Sequence, residues 1–221
     1  MAPAAIRCCI FDLVGTLVDI RPAVLEATFA ALEQWAPGKF SRESLAEQLS
    51  GPLEDPFVAA AEGREPVANE LRRVFLEHWE GRRHESIVLF PGVPEMLAAL
   101  VDLGTTVVVL SGSTRAAGSR DLESSGLAPF VSAVVFQDDI ERPKPFADAA
   151  TKALELSGAS AQEALLIGES DTDIQCGRLA GVSTGAALWG AVDQEALLGE
   201  KPDFAFAQPS EVGDVVRKSE D

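Results

Sequence analysis

Short, continuous apolar runs recur along the chain, and segments with helical spacing separate most of them. The runs cover residues 6–13, 105–110, 133–136 and 164–167 and, more weakly, 183–188 and 204–207. Such runs are typical of strands that are buried on both faces of a parallel sheet. Helical spacing follows at 94–103 and 146–156. The alternation predicts βαβ units and an α/β fold with a Rossmann-like parallel sheet core.

One stretch directly after the first run breaks this alternation. From about residue 20 to 86 only helical patterns occur, and three helices are predicted there. The first ends at the turn Pro37-Gly38, the second is capped by Ser41 and contains Leu45 and Leu49, and the third includes Leu71. We therefore expect residues 1–19 and 87–221 to form the α/β core and residues 20–86 to form a small all-helical insertion.

Composition narrows the range of partners. Among 221 residues there are 18 Lys and Arg against 35 Asp and Glu, which gives a net charge of −17. Such a field repels nucleic acid phosphates and anionic membrane surfaces, so we expect neither as a partner. No apolar run is long enough for a transmembrane helix, and the first residues lack a signal-peptide pattern. Three cysteines do not make a disulfide framework, so a cytoplasmic protein with buried cysteines is expected.

Polar residues follow four of the predicted strands. The first ends in Asp12, the second in Ser111-Gly112, and Lys144 follows the third between two prolines. The fourth leads into the acidic segment 168–173. Ligands of open α/β sheets bind at the carboxyl ends of the strands. These four positions together predict a phosphate-binding site at that edge of the sheet.

At these positions the sequence resembles the haloacid dehalogenase-like hydrolase superfamily. The matching motifs are Phe-Asp12-Leu-Val-Gly-Thr-Leu-Val-Asp19, Val-Val-Val-Leu-Ser111, Lys144-Pro145 and Ile-Gly168-Glu-Ser-Asp-Thr-Asp173. The stretch 90–97 and Leu188-Trp189-Gly190 resemble the phosphoglycolate phosphatase-like branch. The resemblance covers the chain outside the insertion. It implies that the insertion is a helical cap domain, which excludes water and selects the substrate.

The resemblance also implies a role for each site residue. Asp12 would be the catalytic nucleophile that forms an aspartyl-phosphate on a small phosphorylated metabolite. Mg²⁺ would be held by Asp12, the main-chain carbonyl of Val14 and the acids Glu169 and Asp173. The phosphoryl oxygens would be bound by Ser111, Gly112 and Lys144. Lys144 would in addition neutralise the charge that develops during transfer.

Two positions depart from the family pattern. Phosphatases of the family usually carry a second Asp where this chain has Val14, and that Asp protonates the leaving alkoxide. Loss of a positioned general acid costs about 10²–10⁴-fold in rate, so alkyl phosphates are expected to be poor substrates. Glu169 stands where the family more often has Asp, and its extra methylene shifts the carboxylate by about 1.5 Å. Asp171 is the alternative ligand at this strand end.

Three further interpretations stay open. Dehalogenases of the family lack an acid at the Val14 position, so a 2-haloacid dehalogenase is one alternative. A phosphonoacetaldehyde hydrolase is another, and it would need Lys39 as its Schiff-base lysine. A non-catalytic member that binds phosphate or a partner is the third. The arginines of the insertion are expected to form a solvated face; they are Arg64, Arg72, Arg73, Arg82 and Arg83. The sequence gives no oligomeric state.

Overall fold

The computed structural model describes residues 5–48, 56–82, 85 and 87–219. The chain divides into two compact units, and we refer to them as the core unit and the helical unit. The core unit combines Met1–Asp19 with Leu89–Asp221, and the helical unit is Ile20–Val88. The expected boundary at residue 86/87 falls partly on residues outside the described ranges.

The core unit is built on a six-stranded sheet in which all strands are parallel, with the order β5-β4-β1-β6-β7-β8. Its strands are β1 (Cys8–Asp12), β4 (Thr106–Ser111), β5 (Ala133–Phe136), β6 (Ala164–Gly168), β7 (Ser183–Ala187) and β8 (Phe204–Phe206). Two short strands, β2 (Val18–Asp19) and β3 (Val88–Leu89), form a separate two-stranded sheet. Each of the six apolar runs contains one strand, so the predicted α/β fold is confirmed.

Ten α-helices occur in the described ranges. They are α1 (Arg21–Trp35), α2 (Arg42–Gln48), α3 (Pro56–Ala60), α4 (Glu65–Arg82), α5 (Val93–Asp102), α6 (Arg115–Ser124), α7 (Asp148–Ser157), α8 (Asp171–Ala180), α9 (Gln194–Gly199) and α10 (Ser210–Ser219). The first four belong to the helical unit and the others to the core unit. None of the described helices is both long enough and apolar enough to cross a bilayer.

The central strands are buried because helices cover them. Every residue of β1 and β6 is buried, as continuous apolar runs require. Helix α7 packs against β1, β4 and β5, and its buried face consists of Ala149, Ala150 and Ala153. These small side chains let the helix lie close to the sheet. Cys8 and Cys176 are buried in the same cluster, and Cys9 is also buried, as predicted.

The helical unit has its own apolar core, in which α1 packs mainly against α4. The predicted helices are present, and the main-chain N–H of Ser44 donates to the Ser41 side chain at 3.2 Å, as expected for a cap. The buried face of α1 is made of small residues and Leu32, whereas Phe29 and Trp35 are only partly buried. The short helix α3 was not predicted, and Leu49 lies outside the described residues.

Two of the arginines in the helical unit pair with acids on their own helix. Arg73 binds Glu70 and Glu77, and the Arg72 guanidinium lies 3.0 Å from Glu65. Arg64 donates instead to a main-chain carbonyl at 3.0 Å. The pairs on α4 agree with the expected solvated face. The side chains at 82 and 83 lie outside the described residues.

Candidate active site

The ends of three strands bring the predicted site residues to one edge of the sheet. Asp12 is the last residue of β1 and is in register with Leu110, one residue before the end of β4. Ser111 ends β4, and Gly168 ends β6, directly before Glu169. Because the three strands are parallel neighbours, their carboxyl ends lie side by side.

Lys144 links two of the acids. It lies in the loop after β5, where Pro143 and Pro145 flank it and the bond to Pro145 is cis. Its Nζ donates to Asp12 Oδ1 at 2.6 Å and also to Asp173 Oδ1. The side chains of Asp12 and Asp173 are almost completely buried, and Lys144 is 18% exposed. The lysine therefore makes a buried ion pair with the candidate nucleophile.

The charges of the cluster shift its pKa values. Burial raises the pKa of Asp12 to about 6, against the opposing effect of Lys144. A group with this pKa is mostly ionised at pH 7, as a nucleophile requires. Burial alone would lower the pKa of Lys144, but the charges of Asp12 and Asp173 raise it above its ordinary value. The lysine is therefore cationic at neutral pH.

Ser111, the last residue of β4, and Gly112, directly after it, precede α6 in the chain. The Ser111 hydroxyl accepts a hydrogen bond from the main-chain N–H of Ser113 at 3.2 Å, which leaves its own proton for a further acceptor. Gly118 on α6 makes room for this arrangement, because a Cβ there would lie 3.1 Å from Ser111 Oγ and 2.7 Å from the Phe136 ring. A cavity of about 290 Å³ is bordered by Ser111, Gly112 and Lys144.

Glu169 and Asp171, the two candidate metal ligands after β6, differ in environment. Glu169 is largely buried, and the hydroxyl of Thr16 donates to its Oε2 at 2.7 Å. Burial and the charges of Asp12 and Asp173 raise its pKa well above the ordinary value. Asp171 is exposed at the start of α8 and accepts the N–H of Thr172 at 2.8 Å.

Asp173 is fully engaged by protein groups. One carboxylate oxygen binds Lys144, and the other accepts the main-chain N–H of Ser170 at 3.0 Å and its hydroxyl. A Cβ on Gly168 would lie 2.4 Å from Oδ2 of this carboxylate, so glycine leaves the space that it occupies. These contacts suit a group that holds Lys144 in place, and the expected role of Asp173 at the metal stays a prediction.

The donor chemistry at Asp12 and Glu169 fits Mg²⁺. In the described part of the chain, no three His, Cys, Asp or Glu side chains are grouped so as to hold a metal. Mg²⁺ needs only one or two protein carboxylates, since it retains several waters. Here the buried Asp12 and Asp173 and the partly buried Glu169 share one lysine as their nearby positive charge, and repulsion from Asp12 contributes to the raised pKa of Glu169. A divalent cation beside these two acids would relieve that repulsion.

Two residues after β7 belong to the site although the sequence gave them no role. The indole Nε1–H of Trp189 donates to the main-chain carbonyl of Thr16 at 2.8 Å. A Cβ on Gly190 would lie 1.6 Å from the carbonyl oxygen of Gly15, so only glycine fits there. The sequence signal for these two residues was that Leu188-Trp189-Gly190 resembles a stretch of phosphoglycolate phosphatase-like proteins.

Comparison with known proteins agrees with this geometry. A family model described as haloacid dehalogenase-like hydrolase matches residues 9–187, which includes every site residue named above except Trp189 and Gly190. The chain belongs to this family. It is therefore a haloacid dehalogenase-like hydrolase, as the resemblance implied.

The curated relatives of this hydrolase include proteins named pyrophosphatase PpaX. One from Bacillus pumilus is 27% identical over 213 residues, covering 96% of this chain and 97% of the relative. Another, from Bacillus cereus, is 29% identical over 204 residues, covering 92% and 93%.

Solved structures of similar fold cover nearly the whole hydrolase. A subfamily IA hydrolase of the same superfamily from Geobacter sulfurreducens is 21% identical, with a TM-score of 0.78 over 97% of this chain and 98% of its own. A predicted phosphoglycolate phosphatase from Haemophilus somnus is also 21% identical, with a TM-score of 0.76 over 95% and 97%. At this identity the likeness establishes the fold.

Proposed function

We propose that this hydrolase is a Mg²⁺-dependent phosphatase of a small phosphorylated metabolite that reacts through an aspartyl-phosphate on Asp12. The observation that carries the proposal is the buried ion pair between Lys144 and Asp12, at 2.6 Å. It lies at the end of β1, and Ser111 ends the neighbouring strand β4. A nucleophilic carboxylate approaches an anionic phosphoryl group only where positive charge offsets the repulsion. Lys144 supplies part of that charge.

In the first step a carboxylate oxygen of Asp12 attacks phosphorus, and the bond from phosphorus to the leaving oxygen breaks. Ser111 and the N–H of Gly112 hold the phosphoryl oxygens, and Lys144 offsets their growing charge. Asp173 keeps Lys144 in position through its second ion pair. Bound Mg²⁺, held by Asp12, Glu169 and the Val14 carbonyl, would supply further charge neutralisation.

In the second step a water oxygen attacks phosphorus, which releases inorganic phosphate and regenerates the Asp12 carboxylate. The water loses a proton in the process, and the released phosphate takes it up. Val14 can neither give nor accept a proton in either step. The leaving group must therefore depart as a stable anion, which favours acyl phosphates and phosphoanhydrides over alkyl esters.

The relatives named pyrophosphatase PpaX agree with this preference, because pyrophosphate is a phosphoanhydride. The cluster of acids around Asp12 argues against a metal-free dehalogenase, which has no use for it. Lys39, the lysine that the phosphonoacetaldehyde alternative needs, lies over the ring of Trp35 and 3.9 Å from Glu62. The cap role of the helical unit and a cytoplasmic location stay predictions.

The test is phosphate release from acetyl phosphate, pyrophosphate and a panel of alkyl phosphates, with Mg²⁺ and with chelator. We expect the wild type to prefer the activated compounds and Asp12→Asn to lose activity by at least about 10³-fold. Val14→Asp is expected to gain alkyl ester hydrolysis. Asp171→Asn is the matched control, because this acid lies at the same strand end but is exposed.

Each arm can overturn part of the proposal. Unchanged activity of Asp12→Asn would exclude the nucleophile, and full activity in chelator would exclude Mg²⁺. If Asp171→Asn is inactive and Glu169→Gln is active, the metal ligand is Asp171. If wild type and Val14→Asp both release no phosphate from any compound, the protein is not a phosphatase.

A further inference from the structure

The side chain of Glu169 is packed against the turn that follows β1. Its carboxyl group lies directly against the backbone of Gly15, where a Cβ would be 2.7 Å from Cδ and 2.8 Å from Oε1. Gly15 has a φ of +91°, which L side chains rarely adopt. The missing side chain at this turn provides the space for the extra methylene of Glu169 relative to Asp.

One carboxylate oxygen of Glu169 has a dedicated donor. The Thr16 hydroxyl lies 2.7 Å from Oε2, and Thr16 is completely buried. A hydrogen bond to one oxygen restricts rotation about the last side-chain bond, and this orients the other oxygen as well. The two residues are 153 positions apart in the chain, so the contact exists only in the folded core unit.

The turn that carries Thr16 is itself held from the other side. Trp189 donates to the Thr16 carbonyl at 2.8 Å, and Gly190 packs its bare backbone on the carbonyl of Gly15. The loop that contains Trp189 is attached to the sheet, because the main-chain N–H of Leu188 donates to the main-chain carbonyl of Phe206 in β8 at 2.9 Å. A continuous series of contacts therefore runs from β8 to the carboxylate of Glu169.

We propose that Thr16 is the positioning residue for the Glu169 carboxylate, and that Trp189 holds Thr16 in place. Together with the space left at Gly15, this contact accommodates a glutamate at a position where the family more often has the shorter aspartate. This inference rests on the proposed function, since it assumes that Glu169 binds Mg²⁺. Residues that orient a ligand typically contribute about 10–100-fold to metal affinity.

The test is Mg²⁺ binding by calorimetry, with Mn²⁺ as a paramagnetic probe, on the full chain. Thr16→Val removes the hydroxyl and keeps the shape, and we expect it to weaken binding about tenfold. Thr16→Ser keeps the hydroxyl and is expected to stay within about threefold of the wild type, whereas Trp189→Phe, which removes the N–H, is expected to weaken binding. In a Glu169→Asp background the loss caused by Thr16→Val is expected to disappear, because the shorter acid does not reach the hydroxyl.

The outcomes separate this inference from the proposed function. Wild-type affinity in Thr16→Val would overturn the positioning role and leave the phosphatase proposal intact. An equal loss in the Glu169→Asp background would show that Thr16 acts by another route, which also overturns it. Absence of Mg²⁺ binding by the wild type would overturn both. If Thr16→Val does not fold, a wild-type affinity of Trp189→Phe, or a more than tenfold loss in Thr16→Ser, is the result against the inference.

Discussion

Asp12→Asn should stabilise the metal-free protein although it removes the candidate nucleophile. Burial raises the pKa of Asp12 from 3.8 to about 6, in spite of Lys144. Each tenfold change in acidity corresponds to about 1.4 kcal/mol, so ionised Asp12 destabilises the folded state by about 3 kcal/mol at neutral pH. Asparagine has nearly the same shape and no charge, so it avoids this penalty.

The sign follows from proton binding. Between the unfolded pKa of 3.8 and the folded pKa of about 6, the folded protein binds more protons than the unfolded chain. Stability from this group therefore falls as the pH rises through that window. The advantage of Asp12→Asn should grow by about 2 kcal/mol between pH 4 and pH 7.5, with little change above pH 7.

The assay is urea unfolding in chelator at several pH values, followed by the fluorescence of Trp189 in the core unit. Trp35 and Trp79, both in the helical unit, are replaced by Phe in both proteins so that the signal reports the core unit alone. Saturating Mg²⁺ should reduce or reverse the difference in unfolding free energy between the two proteins, because its binding stabilises the folded wild type. A difference that is independent of pH, or a less stable Asp12→Asn at pH 7.5, would refute the reasoning.

Three further predictions concern the partner of Asp12, the turn at Gly190 and the core of the helical unit. Lys144→Met leaves its buried carboxylate partners facing each other, and we expect a loss of about 3 kcal/mol in urea unfolding together with loss of phosphate release. Gly190→Ala places a Cβ 1.6 Å from a main-chain carbonyl, so we expect about 3 kcal/mol of destabilisation, while Gly199→Ala, with open space, should be near neutral. Leu32→Ala in the helical unit should lower the free energy of unfolding in urea by about 2–5 kcal/mol, because Leu32 is completely buried. Leu76→Ala removes a half-exposed side chain and should lower it by less than about 1 kcal/mol, so nearly equal losses would contradict the burial of Leu32 in the core of this unit.

The sheet could be predicted from the sequence because its central strands are buried on both faces. A strand such as β6 then shows a continuous apolar run, and its position in the chain can be identified directly. The strands β2 and β3 have two residues each and carry no pattern. The buried face of α1 was also hidden, because alanines that permit close helix packing resemble exposed alanines in a sequence.

The site could be predicted only as a set of strand ends. Asp12, Ser111 and Lys144 follow apolar runs. Their roles were inferred from the resemblance to the haloacid dehalogenase-like hydrolases. The pairing of Lys144 with two acids, and the contact of Thr16 with Glu169, depend on distances between residues far apart in the chain. No periodicity encodes such contacts. Trp189 could not be identified because its indole acts on a main-chain carbonyl, which any residue type supplies.

The buried cysteines give the core unit a built-in reporter. All three, Cys8, Cys9 and Cys176, belong to that unit, and burial raises the pKa of each thiol. Thiols in this state react with maleimides only when the surrounding structure opens. The rate of alkylation in the native protein thus measures how often the core unit opens far enough to expose the cysteines of β1 or α8. Opening that is confined to the helical unit causes no alkylation, because all three cysteines lie in the core unit.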